Sequence, residues 1–472
     1  SRMTRPIEPE TESLQTPSAV VIGGGIAGLT AGWSLSQAGW DVRVLESGNR
    51  VGGAMQTERE GGYLIEHGPN TALESDPRIT QLISSLGLQE EKRIPEQASK
   101  KRFILKQGLP QPLPMSPQAF FGSGFFSWKA KLSLIGEPFR PAGNPDHEES
   151  LSEFVLRRLG REFLDYAINP FVAGVYAGAP EKLGVQQAFP KLHELEQRYG
   201  SLIRGQILGA RERKKEGRVS KQRAPMFSFR QGLGTLPERY RELLGDSILL
   251  RTRALRISKD SGRWLVDAEQ EGQRVIFSAD HVIYAGTAHQ LPGVSIEEVP
   301  TSELETFRTI YHPPVSSLSL AFPRNRVEHP LDGFGLLVPE AEKRKILGAL
   351  FISTLFPERC PGDQVLLTVF IGGTRQPEYA SLPKQELQEL VLKELKSMLG
   401  TNAEPVHVFH RFWEKAIPQY EVGYGKIRSK LDALETSHPG LHFTGNYRGG
   451  ISVADTILHA LKLTDLLTGT SN

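Results

Sequence analysis

The 472-residue chain holds a single cysteine, Cys360, carries almost no net charge, and has little uninterrupted apolar sequence. Each scarcity excludes a class. A lone cysteine rules out a disulfide framework, cysteine-ligated zinc or iron–sulfur centres, and the cysteine pair of a dithiol reductase, so the chain reads as intracellular. Lys+Arg 56 against Asp+Glu 54 leaves a formal charge of +2. That balance is wrong for a dedicated binder of a polyanion; no nucleic-acid partner is expected, and any basic surface must be local. The one long apolar stretch, SAVVIGGGIAGLTAGWSL at 18–35, contains five glycines, which fits a strand, turn and helix better than a membrane span. Residues 1–17 are polar, with Glu8, Glu10 and Glu12, and neither a secretory nor a transit peptide is expected there.

What is present is enough apolar sequence for a core, 39% hydrophobic residues, in a chain too long for one compact domain. The run AVVI (19–22) reads as a strand buried on both faces of a parallel sheet, followed by a helix over 29–38 and a second strand at 41–46. Strand-rich blocks return at 247–286 and at 406–447, before a final helix at about 453–467. A sheet assembled from three separated segments leaves two inserted blocks. One, about 113–223, has helical periodicity at 151–166 and 188–211. The other, about 300–404, alternates β-rich runs with turns, gives a helix at 384–398 and reads as an antiparallel sheet.

Gly23-Gly24-Gly25-Ile26-Ala27-Gly28 fits G-x-G-x-x-G immediately after a strand and at the start of a helix. In such a unit Gly23 makes the tight turn, Gly25 lets backbone approach a pyrophosphate, Gly28 permits close helix–strand packing, and the helix N-terminus stabilises the anion. Glu46, ending the second strand, is positioned to accept hydrogen bonds from a ribose. The ordered set marks a dinucleotide site, for which NAD and FAD both qualify.

The flanking residues separate them. After Glu46 and Ser47 come Arg50-Val51-Gly52-Gly53 with Ala54 and Met55, then Glu66-His67-Gly68-Pro69-Asn70 with Thr71. Near the C-terminus, Phe443-Thr444-Gly445-Asn446-Tyr447 leads through Ile451, Ser452 and Val453 into the last helix. These segments resemble those of the FAD-dependent amine-oxidase superfamily, whose members wrap the first around a non-covalent FAD and cap its pyrophosphate and ring with the second. A second glycine fingerprint for NAD(P) is absent from the sequence. Trp413, in the strand-like FHRFWEKAIPQY, is read as a flavin-packing aromatic. His407 and His410 stand an odd offset apart and point to opposite faces of a strand; no metal site is expected.

Within that superfamily the chain resembles the oxygen-dependent protoporphyrinogen oxidases from about residue 18 to 467. The resemblance is carried by KRFI (101–104), NPFVAGVYAG (169–178), AFPKL (188–192), FGLLVP (334–339), LGALF (347–351), FIGG (370–373) and IPQY (417–420). Departures are Ala179 and Thr456, where the family usually has Asp and Cys. The resemblance implies an α/β fold with a Rossmann-like FAD-binding domain (18–93, 224–296, 405–472), an inserted antiparallel-sheet substrate domain (94–112, 297–404) and an inserted helical membrane-binding domain (113–223). It implies six-electron oxidation of a reduced tetrapyrrole, with O2 as acceptor and H2O2 released, and no catalytic residue beyond the flavin. Arg102 matches a propionate anchor, Leu337, Leu350 and Phe370 match the walls of the slot, and Gly174 matches a close backbone approach. Taken without the resemblance, the three apolar residues read as sheet core and Arg102 as a surface charge.

Two substrates compete, protoporphyrinogen with two propionates and coproporphyrinogen with four; KLHELEQRYGSL (191–202) resembles the forms that take the first. Another flavin amine or carotenoid oxidoreductase, and a flavin scaffold without turnover, are the remaining alternatives. Five aromatics in 119–128 and seven Lys/Arg against two Asp/Glu in 211–223 suggest peripheral attachment to the cytoplasmic side of a membrane. The alternative for the aromatics is packing within the helical block or at the cavity mouth, and self-association as a homodimer is compatible with either.

Overall fold

The computed structural model describes residues 15–216 and 224–470. Glu8, Glu10, Glu12 and the end of the basic 211–223 segment lie outside them. At the centre is a five-stranded parallel sheet, ordered Ile248–Leu249, Asp41–Leu45, Ser18–Ile22, His281–Tyr284, Leu441–Phe443. It draws on three well-separated stretches of chain, as the strand-rich blocks indicated. Its central strand is buried on both faces because it is covered twice. Val21 and Val44 pack under the helices Ile26–Gln37 and Val453–Thr468 through Leu35 and Ile457, while Val20 and Val282 pack with Trp264 and Leu431 beneath. That double burial is why AVVI shows no alternation.

The second sheet has seven strands, ordered His407–Trp413, Val315–Pro323, Gln364–Gly372, Gly348–Phe351, Gly335–Leu337, Arg102–Lys106, Leu109–Pro112. The strands of the 300–404 block pair antiparallel with one another, as expected, and the one parallel pairing joins Gly335–Leu337 to Arg102–Lys106. Strand His407–Trp413 also belongs here, although the sequence grouped 405–472 with the parallel sheet; its register with Val315–Ala321 captures it. One face carries Phe103, Leu105, Leu318, Leu336, Ala349 and Val369 against the helix Lys384–Leu399. Alternation turns the other face toward the rest of the molecule.

The helical block is more broken than its periodicity suggested. The 151–166 helix ends at Arg158, because Gly160 adopts a positive φ of 95°, and resumes as a short helix running into a π-turn at Leu164–Ile168. The 188–211 segment becomes Val185–Ala188, Pro190–Tyr199 and Leu202–Glu216. Pro190 sits at a helix start and Gly200 closes a helix with φ 74°, the usual positions for these residues. The aromatic segment is largely internal. Phe120, Phe125 and Phe126 are buried with Ile104, and Phe126 stacks on Phe163 with centroids 4.6 Å apart. Lys131 is buried too, donating to the carbonyls of Phe121 and Ser123. Only Phe121 and Trp128 of the five aromatics stay exposed. Among the described residues, no helix is long and apolar enough to cross a membrane.

Candidate active site

The glycine turn is built by exclusion. A Cβ on Gly28 would lie 1.9 Å from the carbonyl oxygen of Gly23, and one on Gly23, whose φ is +112°, would meet the Ala285 carbonyl at 2.7 Å. Both positions therefore need glycine for packing. Gly25 differs: a Cβ there would meet only the Gly53 Cα, at 3.9 Å, and it starts the Ile26–Gln37 helix with no side-chain cap. Unsatisfied first-turn N–H groups thus border open space, which suits an anion. Glu46 accepts from Gly24 N at 3.0 Å and from Gly48 N at 2.6 Å, so its carboxylate is oriented beside that space with Ser47 next to it.

The other motifs converge on this turn. Gly52 N donates to Gly24 O at 2.8 Å and Met55 N to Gly52 O at 3.0 Å. Arg50 Nη2 donates to Gly53 O at 2.9 Å. Ala54 backs onto Gly68, where a Cβ would lie 1.9 Å from Ala54 O, which leads to Pro69, Asn70 and Thr71, the last bonded to Met226. Trp413 Nε1 donates to His67 O at 2.8 Å. From the C-terminal side, Gly445, with φ +145°, lies against Gly286, the neighbour of Gly23; the Asn446 carbonyl accepts from the Tyr420 hydroxyl. Ile451 is half-buried and Ser452 caps the helix that begins at Val453, accepting from Asp455 N at 3.0 Å. One cluster therefore brings together the glycine turn, 46–55, 66–71, Trp413 and 445–453.

The candidate substrate residues occupy the other face of the seven-stranded sheet, the one turned toward the rest of the molecule. One row across the strands runs Arg102, Gly335, Leu350, Thr368, Ser319, Phe409; the next runs Ile104, Leu337, Gly348, Phe370, Ser317, Arg411. Arg102, Leu337, Leu350 and Phe370 thus share one surface. Each leucine pairs with a glycine, and a Cβ on Gly335 or Gly348 would press on Leu350 or Leu337 at 3.3 and 3.2 Å. Facing this surface is the helix Asn169–Tyr176, where a Cβ on Gly174 would lie 3.0 Å from Leu337 Cδ2. The half-buried Arg102 guanidinium stacks 4.2 Å over the Phe334 ring and forms no ion pair among the described residues. Burial lowers its pKa from the usual arginine value.

Gly335, Gly348 and Arg411 were not picked out from sequence. The two glycines carry no local signal, since their meaning depends on which leucine each opposes. Arg411 had one: it is two residues from Trp413 on a strand and so shares its face. His410 bonds Ser316 at 3.0 Å and His407 packs on Tyr63; among the described residues, no group of three or more His, Cys, Asp or Glu side chains could hold a metal.

A parallel dinucleotide-type sheet joined to a mixed sheet with an apolar face defines a two-part flavoprotein of the oxidoreductase class. The chain belongs to the flavin containing amine oxidoreductase family, whose model matches residues 26–462, and its cofactor is FAD. It is 34% identical to protoporphyrinogen oxidase 2 of Arabidopsis thaliana, covering 97% of this chain and 95% of that protein. It is 26% identical to coproporphyrinogen III oxidase of Bacillus subtilis, covering 93% and 95%. A solved Exiguobacterium structure superimposes with TM-score 0.80 at 24% identity over 97% of this chain and all of that one, which supports the fold.

Proposed function

We propose that this protein oxidises protoporphyrinogen IX to protoporphyrin IX, removing six electrons, with O2 as acceptor and H2O2 as product. The carrying observation is the pairing of an unbridged, half-buried Arg102 with an apolar sheet face formed by Leu337, Leu350 and Phe370. A guanidinium in that setting is free to grip a propionate bidentately, while the apolar side chains hold the macrocycle and exclude water. Gly174 removes a side chain where the Asn169–Tyr176 helix packs on Leu337, so the backbone itself borders that wall. The bound flavin supplies the two-electron acceptor, so positioning and dryness matter more than a protein acid or base.

In this reading the FAD is non-covalent and held by the residues gathered around the glycine turn, with the 18–93, 224–296 and 405–472 segments forming its domain apart from strand His407–Trp413. Segments 94–112 and 297–404 form the substrate domain and 113–223 the membrane-facing one. The membrane contact moves from the buried phenylalanines to Trp128, Leu132, Ile135 and Phe139, exposed at 68%, 64%, 54% and 81%. The first three lie at helical i, i+4, i+7 spacing, one apolar stripe on Trp128–Ile135. Basic Lys214 and Lys215 end the Leu202–Glu216 helix. Attachment would be peripheral and on the cytoplasmic side.

A coproporphyrinogen reading has support from the Bacillus relative. It needs cations for four propionates, whereas Lys106, the other base on the Arg102 strand face, is already engaged by Glu162 and the Phe125 carbonyl. Assaying both porphyrinogens side by side tests the choice: faster turnover of coproporphyrinogen would reverse it. Peroxide should appear at about three per porphyrin, from two electrons per flavin turnover; a far lower ratio would assign another acceptor.

A further inference from the structure

Arg411 lies at the end of the substrate face, two strands beyond Phe370. Five inter-strand spacings separate its strand from that of Arg102, roughly 24 Å across the sheet, too far for one carboxylate to engage both. Its guanidinium lies 4.5 Å over the Trp413 ring, and Trp413 is tied to His67. The Nε of Arg411 is buried and, among the described residues, has no hydrogen-bond partner, a loss for a charged donor. Arg50 lies within electrostatic reach: its pKa is lowered by burial and then by the charge of Arg411, with Glu46 opposing. The Glu46 oxygens already receive backbone N–H groups, and among the described residues neither arginine forms a salt bridge. Contacts link Arg411 to the glycine turn: Trp413, under its guanidinium, bonds His67 O, the adjoining Gly68 packs on Ala54 O, and Gly53 before it lies against Gly25.

We infer that Arg411 binds the pyrophosphate of the flavin dinucleotide, closing from the seven-stranded sheet an anion site otherwise walled by Gly25, Gly53 and Arg50. The inference rests on the cofactor cradle proposed above. Position favours the pyrophosphate over the ring: Arg50 bonds Gly53, and Gly53 lies against Gly25, whose helix presents the unsatisfied N–H groups. A dianionic group there would neutralise both arginines and give the orphaned donors an acceptor. The sheet that carries substrate would then also grip the cofactor, coupling the two halves of the site.

The test compares wild type, Arg411→Gln and Arg411→Lys after removal of FAD, measuring affinity for FAD and for ADP, which has the pyrophosphate without the flavin ring. Arg411→Gln should weaken both by about ten- to a hundredfold, Arg411→Lys should recover most of the loss, and the flavin-free Gln variant should melt no lower than wild type because a cation–cation repulsion is gone. The inference is overturned if Gln binds FAD as wild type does, or if FAD weakens while ADP does not, which would move the contact to the ring. It is also overturned if Lys and Gln are equally weak, or if the flavin-free Gln protein loses stability with affinities unchanged. Should Gln fail to fold, Lys and the ADP measurement still decide. Wild-type protein that takes up neither FAD nor ADP would defeat the cofactor cradle itself, a different failure from an unchanged variant.

Discussion

Gly174 and Leu337 meet between helix and sheet: a Cβ on the glycine would stand 3.0 Å from the leucine Cδ2, closer than side chains normally pack. The Asn169–Tyr176 helix and the seven-stranded sheet therefore pack here with no room for an added methyl group unless Leu337 moves. Gly174→Ala should push Leu337 toward the ring and lower kcat/KM for protoporphyrinogen about tenfold, since small misplacements at a reacting centre are costly, with flavin uptake retained. Adding Leu337→Val should restore part of the loss. Unchanged steady-state kinetics in Gly174→Ala would place the substrate elsewhere.

Arg102 has lost water on burial and has gained an aromatic face but, among the described residues, no counter-ion. Arg102→Ala should reduce kcat/KM by about ten- to a hundredfold, the worth of one charge-assisted contact of roughly 1.5–3 kcal/mol, with most of the change in KM. Arg102→Lys should recover only part, because it keeps the charge without the fork. Equal kinetics in all three proteins would move the anchor.

The glycine turn separates folding from binding. Gly28→Ala forces a contact with the Gly23 carbonyl that backbone cannot relieve and should lower the melting temperature, at an overpacking cost of about 1–3 kcal/mol or more. Gly25→Leu places its side chain in open space and should fold yet emerge colourless. Absorbance at the flavin bands, read beside thermal melts, checks both, and full FAD occupancy in folded Gly25→Leu would defeat the pyrophosphate assignment.

Liposome co-sedimentation should discriminate the two sets of aromatics. Replacing Trp128, Leu132, Ile135 and Phe139 by serine should release the protein from anionic vesicles with little change in melting, because all four side chains are exposed. Phe126→Ala should instead destabilise the fold by about 3–5 kcal/mol through a core cavity. Wild-type protein that stays in the supernatant at low salt would end the membrane proposal without touching the enzyme assignment.

Acid should unfold the protein partly through three histidines. Burial lowers the pKa of His312, His442 and His459 to about 4, whereas the unfolded side chains titrate near about 6.5. Between those values the unfolded chain binds protons that the folded chain refuses, so stability is complete above about pH 6.5 and declines as pH falls toward 4. His459→Gln should flatten the dependence of melting temperature on pH across that window. An unaltered slope would assign the acid sensitivity to other groups.

Contiguous stretches carried much of this architecture. The strand–glycine–helix–strand–acid unit needs only neighbouring residues, since tight turns and close helix packing impose their demands within about ten positions, and it lies at the centre of the parallel sheet. Burial on both faces was likewise legible in AVVI. Resemblance supplied Arg102, Leu337, Leu350 and Phe370 as a group, without saying why they should meet.

Tertiary structure decided what depends on pairing. The strand register puts those four residues on one face, opposes each leucine to a glycine, and draws His407–Trp413 into the second sheet; a shift of one residue would have reversed every side chain. Packing against Phe163 and Ile104 took Phe120, Phe125 and Phe126 inward, although local sequence offered a membrane anchor equally well. Arg50 and Arg411, 361 positions apart by their numbers, come within electrostatic reach only through tertiary packing. Local sequence determines turns and periodicity through short-range sterics, whereas faces, neighbours and unpaired charges arise when distant segments compete to bury the same surface.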